Sequence, residues 1–333
     1  MSSRSLLATI TLVLLALLIW QLRWVILVFF GAIVIAVALD VLIQQIQSKL
    51  YLSRNISLLI VVLTLLVFGI LLFQLLVPEL ISQVKELNNL LPKLIAKLNS
   101  IISNQPILKE LQQSISNQFS WERTQSFLTQ IIGFAGGAAN SLFQFLLIGL
   151  LSILLVLDPR SHKQIIISVS PRPLRREINQ LLDDCRVALG GWLSGMTISA
   201  ITIFALTWAG LSVLKSPLAL LSALVSGLLT FIPIIGPTTA TLLPLGVSLI
   251  ISPTLMFEVL ILRLILQNLE AFLLTPLLLS RTVNLLPSVA LIAQLSLGVL
   301  LGLPGVLIAL PLTVVMQVCI QKIIVKRIMD KWN

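Results

Sequence analysis

Apolar runs long enough to cross a lipid bilayer recur along this chain. Residues 6–22, 24–43, 56–77, 127–157 and 191–214 carry hardly any charge, and 216–324 is apolar almost throughout. A spanning helix takes about 20 residues, and within hydrocarbon only helices or closed barrels satisfy every backbone amide. A soluble domain is excluded, because 58% of the 333 residues are hydrophobic and 10% charged, more apolar surface than a core of this size can hide. The expected fold is all-α: a polytopic transmembrane helical protein of about eight spans, with Pro/Gly-broken segments in its C-terminal half. The first run follows Arg4 and has the length of a signal-peptide core, but no small-x-small cleavage site precedes Trp20. It reads as a retained helix, with Trp20 and Trp24 where interfacial aromatics are favoured.

Two hydrophilic stretches divide the runs. Residues 78–126 open at Pro78 and are rich in Lys, Glu, Asn, Gln and Ser, yet Leu80, Val84, Leu87, Leu91, Leu94 and Leu98 keep helical spacing. Residues 158–190 contain Pro171, Pro173 and an amphipathic stretch from Arg175 to Leu189. The chain reads as one membrane domain over 1–333. Its parts are spans at 6–77, an extracytoplasmic amphipathic excursion at 78–126, a span at 127–157, a cytoplasmic excursion at 158–190, and spans with broken segments at 191–325. Lys and Arg concentrate on the side that holds Arg4, Lys49, Arg54, the 158–190 excursion and the C-terminus. The positive-inside rule makes that side cytoplasmic, with both termini there and the protein multi-pass in a bacterial-type inner membrane.

The net charge of +10 is scattered over helix ends without an aromatic-interleaved basic face, so nucleic acid is not an expected partner. Two cysteines, Cys185 and Cys319, make neither a disulfide framework nor a metal cluster. A phosphate-binding G-x4-G-K-[S/T] loop, H-E-x2-H and G-x-S-x-G are all absent, and the single histidine, His162, lies in the second excursion. The expectation is a non-enzyme with no cofactor and no metal.

Three features carry mechanism. In LLTFIPIIGPTTATLLP, Leu228 to Pro244, the residues Pro233, Gly236 and Pro237 interrupt an apolar segment, beside Thr230, Thr238, Thr239 and Thr241. Proline removes an amide donor and disfavours helix at the preceding residue, so a continuous helix is not expected here. A related pattern, LGLPGVLIALPL, puts Pro304 and Gly305 in a second apolar run. Paired interrupted segments point to a transporter's site, although both could be plain turns between spans. In the run from Thr254 to Leu279, Arg263, Gln267 and Glu270 fall at i, i+4 and i+7, one helix face that must avoid lipid. They line a pathway or fix helix packing. Glu270 is the candidate for a coupling ion, with Asp40 and Glu258 nearer the ends of their runs. Finally, Gly133 and Gly137, and Gly191 and Gly195, form small-residue faces that suit close helix packing within or between subunits.

The motifs FIPIIGP at Phe231 to Pro237 and NLEAFLLTPLLLSRTV at Asn268 to Val283 resemble the AI-2E family of membrane transporters. The resemblance continues through Pro287, Gly302, Gly305 and Pro311 and covers nearly the whole chain. It implies export of small molecules, the family being named for the signal autoinducer-2, with some relatives assigned cation/proton antiport. The residues matching the family pattern are Pro233, Gly236, Pro237, Gln267, Glu270, Pro276, Pro287, Gly305 and Pro311. Leu286 stands where relatives commonly have His, and GWLSGM opens the fifth span without their Gly-Gln pair.

The functional expectation is secondary-active or facilitated export of a small molecule such as an autoinducer-2-like solute. Its route is expected along Pro233, Gly236, Pro237, Arg263, Gln267, Glu270, Pro304 and Gly305. The expected partners are the lipid bilayer, the small-molecule or ion substrate and, through the small-residue faces, further copies of the chain in a homo-oligomer. A Na+(Li+)/H+-type antiporter using Glu270 is one alternative, and a membrane scaffold without transport is another.

Overall fold

A computed structural model of the chain describes residues 20–103, 138–232, 235–274 and 286–325, with isolated positions 11, 14, 17, 18 and 276. The described residues contain helices and connecting turns and no strand. In chain order the helices are α1 (Arg23–Leu50), α2 (Arg54–Ser103), α3 (Ala138–Leu157), α4 (Pro159–Val169), α5 (Arg175–Val213), α6 (Ala219–Leu229), α7 (Ile235–Ile251), α8 (Pro253–Leu269) and α9 (Pro287–Cys319). Short π-helical segments, Glu270–Leu274 and Ile320–Val325, follow α8 and α9. Four helical stretches are long and apolar enough to cross a membrane, within α1, α2, α5 and the second half of α9, and four shorter ones are apolar.

The helices are longer than the apolar runs that announced them. α2 continues through Pro78 and Pro92 for 50 residues, about 75 Å at the helical rise against about 30 Å of hydrocarbon. The first excursion therefore begins as an extension of a spanning helix, with no break at Pro78. α5 likewise joins the amphipathic stretch at 175–189 to the apolar run that follows in one helix of 39 residues. Between runs 6–22 and 24–43 Leu22 is a turn residue (φ −87°, ψ 3°) at which α1 begins, and bonds of helical spacing cross it, Leu22 N donating to Leu18 O and Ile26 N to Leu22 O, both at 2.9 Å. No Pro or Gly occurs before Gly31, and the Arg23 guanidinium lies over the Trp20 ring at 4.4 Å.

The chain divides into two compact units: Met1–Leu58, Gln144–Gly190 and Ser288–Asn333 in the first, Leu59–Phe143 and Gly191–Pro287 in the second. The first is fastened at one end by Asp40, only 6% exposed. Arg54 donates to its Oδ1 at 2.6 Å, Arg186 donates to Oδ2, and Gln44 Nε2 donates to Oδ2 at 2.8 Å. Arg54 also donates to the Val156 carbonyl at 3.1 Å, so three helices meet on one carboxylate and a fourth is joined through Arg54. Asp40 is thus committed to two cations. Asp40→Asn leaves both guanidiniums without a counter-charge and should lower stability by about 2 kcal/mol, below the fully buried value because the arginines are partly exposed. Unfolding of the purified variant in detergent measures it, and a change under 0.5 kcal/mol would show the cluster to be incidental.

Candidate functional site

The second unit is organised around a helical hairpin. α6 has 11 residues and α7 has 17, about 16 and 25 Å, so neither crosses 30 Å of hydrocarbon unaided. Between them Thr230 and Phe231 turn and Ile232 bends. The expected interruption is there, but it falls ahead of Gly236, which is helical and lies in the first turn of α7 beside Pro237. Proline is tolerated at this point because first-turn amides have no intrahelical acceptor. Pro233 lies outside the described residues. Gly236 is required by close approach: a Cβ there would stand 1.8 Å from the Leu229 carbonyl oxygen.

The open end of the hairpin is tied down. Ser216 and Ser248 hydroxyls meet at 3.0 Å across it. Gln83 of α2 accepts from the Leu221 amide at 2.9 Å, and Lys97 donates to the Ile250 carbonyl at 3.1 Å. Both bonds satisfy groups that a helix terminus leaves unpaired. Extended α2 thus serves as a brace for the hairpin, a role that amphipathic spacing alone did not reveal.

Nearer the tip sits Arg263 of α8, 4% exposed. Its Nε donates to Thr241 Oγ1 at 3.1 Å. Nη1 donates to Thr207 Oγ1 at 3.2 Å and Ser226 Oγ at 3.0 Å, and Nη2 donates to the Pro237 carbonyl at 3.3 Å. One guanidinium therefore holds α5, both arms of the hairpin and α8. All four acceptors are neutral oxygens, and no carboxylate lies within ion-pair distance of Arg263 among the described residues. Close backbone approach helps build the cage, since a Cβ at Gly227 would lie 3.0 Å from the Ala200 carbonyl oxygen. Thr207 and Ser226 were missed in the sequence because Thr207 is one hydroxyl in an apolar run and Ser226 one of a row with Ser222 and Thr230; only the tertiary partner singles them out.

The expected face of Arg263, Gln267 and Glu270 is not uniformly buried. Val259, Arg263 and Leu266 are the buried positions of α8, Gln267 is exposed and Glu270 is half-buried. Gln267 stands about 100° around the helix from Leu266, on the far edge of the inward stripe, so it lines no protein interior here. Glu270 opens the π-helical segment, a geometry frequent at functional positions. Glu258 is exposed near the start of α8.

The second interrupted segment belongs to the first unit. The break falls at Gly302 (φ 66°, ψ −151°), a backbone region open essentially to glycine, and not at Pro304 and Gly305, which begin the next helical limb. There the chain folds back: a Cβ on Gly305 would lie 2.1 Å from the Leu297 carbonyl oxygen, and one on Gly298 would lie 2.9 Å from Val306 Cγ2. The device matches that of the first hairpin, a glycine pressed against the last carbonyls of the preceding limb beside a first-turn proline. Of the packing glycines, Gly195 is buried and Gly191 half-buried in α5. Gly133 and Gly137 lie outside the described residues.

Long apolar helices and tightly folded broken segments define a multi-pass helical membrane protein. The chain belongs to the AI-2E family of transporters: the family model described as AI-2E family transporter matches residues 9–324. It is similar to the "Putative transport protein YrrI" of Bacillus subtilis (strain 168), 28% identical over 200 residues, or 59% of this chain and 57% of that one. It is also similar to the "Putative transport protein YueF" of the same strain, 20% identical over 210 residues, or 63% of this chain and 57% of that one. The matches thus span little more than half the length of these curated relatives.

Proposed function

We propose that this chain is a secondary-active or facilitated exporter of a small molecule, with its route beside the α6–α7 hairpin and α8. The observation that carries the reading is the caged Arg263, which fastens the tip of a hairpin too short to span. Broken backbone at membrane depth is tolerated only where it is buried in protein or lines a watery cavity, and transporter sites are typically built from such discontinuous helices. Gly236, Pro237, Arg263 and Glu270 are the local positions, Gln267 flanks them, and Pro304 and Gly305 supply a second hinge in the other unit. Gly191 and Gly195 serve helix packing, within the chain or between copies. The chain is placed in a bacterial-type inner membrane with the basic 158–190 side and the C-terminus cytoplasmic. The N-terminus, with Arg4, is placed on the same side.

A second reading, cation/proton antiport, is favoured by Glu270, a half-buried carboxylate at the first residue of the π-helical segment. It is tested by loading proteoliposomes with a pH gradient and adding Na+, K+ or Li+. Antiport requires dissipation in wild type and loss of at least tenfold in Glu270→Gln; a wild type that leaves the gradient intact removes antiport of those ions. Export of an organic solute is then measured directly as flux from loaded vesicles, and a folded, inserted protein that moves neither class of solute would make it a scaffold.

A further inference from the structure

Four consecutive residues of α5, Asp183 to Arg186, reach three parts of the first unit. Asp183 accepts from Lys163 of α4 at 2.7 Å, Asp184 from Lys322 beyond α9, and Arg186 donates to Asp40 of α1. Cys185, in the same turn, faces Cys319 at the end of α9 with the sulfurs 4.0 Å apart. These are the chain's two cysteines; both are free thiols, half-buried, and separated by 134 positions. We propose that Cys185 and Cys319 are a redox-modification site, closing to a reversible intramolecular disulfide that ties α5 to the C-terminal end of α9.

Three observations support the assignment. The sulfurs are already in contact at 4.0 Å, and about 2 Å separates that contact from a bond. The Asp184–Lys322 pair joins the same two segments, one residue from Cys185 and three from Cys319, and so holds them in register. The surrounding layer of ion pairs, Lys163–Asp183, Lys322–Asp184 and Arg186–Asp40, marks a polar end of the unit where water-borne thiols and disulfides have access. The two-electron oxidant is a small-molecule disulfide. Oxidised glutathione is attacked by one protein sulfur to give a mixed disulfide and one glutathione thiol, and the second protein sulfur displaces the other glutathione. Two S–H bonds are lost, one protein S–S bond forms, and both protons and both electrons leave on two molecules of reduced glutathione.

The test equilibrates the purified full chain in glutathione buffers from reducing to oxidising, with thiol counting and peptide mass mapping. Accessible thiols are expected to fall from two to none, with one peptide pair linking Cys185 to Cys319 within a single chain and recovery of both thiols under dithiothreitol. Cys185→Ser and Cys319→Ser should each form no intramolecular link. Two free thiols at the oxidising limit, glutathione adducts on both cysteines, or a link between two chains would each overturn the proposal.

Discussion

Gly236→Ala is expected to lose the hairpin, and with it at least nine-tenths of transport activity. The added methyl carbon would lie 1.8 Å from the Leu229 carbonyl oxygen and 2.8 Å from its carbon. These are backbone atoms at the end of α6, so no side-chain rotation relieves the overlap. Relief requires the two arms to separate, which also pulls Pro237 and Thr241 away from Arg263. A loss of about 3 kcal/mol or more follows, at or above the usual range for overpacking. Unfolding in detergent and solute flux in proteoliposomes measure the two effects. Gly246→Ala is the matched control: its methyl would meet only the two Leu94 methyls, Cδ2 at 3.1 Å and Cδ1 at 3.8 Å, and a leucine end can move. If Gly236→Ala proves as stable as Gly246→Ala, the hairpin is looser than these distances say. Gly305→Ala, 2.1 Å from the Leu297 oxygen, should behave like Gly236→Ala.

At Arg263 the conservative exchange should do more damage to stability than the drastic one. Lysine keeps a charge in the cage, but a compact ammonium cannot reproduce a planar fork that reaches four oxygens on three helices. Leucine removes the charge, and two of the three hydroxyls it leaves already have acceptors: Ser226 Oγ donates to the Ser222 carbonyl at 2.7 Å and Thr241 Oγ1 to the Pro237 carbonyl at 2.8 Å. Arg263→Lys is therefore expected to be less stable than Arg263→Leu by about 1–2 kcal/mol, the difference between a poorly bonded buried charge and a buried hydrocarbon. Both variants lose the cross-link over the hairpin tip, and both should transport at under a tenth of the wild-type rate. Wild-type flux in a stable Arg263→Leu protein would reduce the residue to a packing role and remove it from the proposed route.

Apolar run length, which reports the solvent, made the helical class and membrane setting legible from the sequence. Lipid offers backbone amides no alternative partner, so a run of that kind has one dominant conformation. The breaks were legible too, because Pro and Gly act on the backbone within a residue or two. Their exact positions were not: a proline marks a region that cannot continue a helix, but it is equally at home in the first turn of the next one. That is why Pro237 and Pro304 sit just inside helices while the turns fall earlier, at Thr230 to Ile232 and at Gly302. Pro78 shows the converse, a proline carried inside α2.

Arg263 could be recognised as costly in the sequence, since a cation in the middle of an apolar run must find oxygens. Which oxygens was a tertiary matter. Thr207, Ser226, Pro237 and Thr241 come from three helices, 22 to 56 positions away, and nothing local distinguishes them from other hydroxyls and carbonyls. The same holds for Asp40 with Arg54 and Arg186, and for Gln83 and Lys97 at the hairpin's open end. By itself the sequence determined an all-helical, multi-pass membrane protein with two interrupted apolar segments, because hydrophobicity and backbone stereochemistry act over one or two turns of chain. Only the tertiary structure decided which polar groups meet, because a buried hydrogen bond depends on the packing of distant helices to within a few tenths of an ångström.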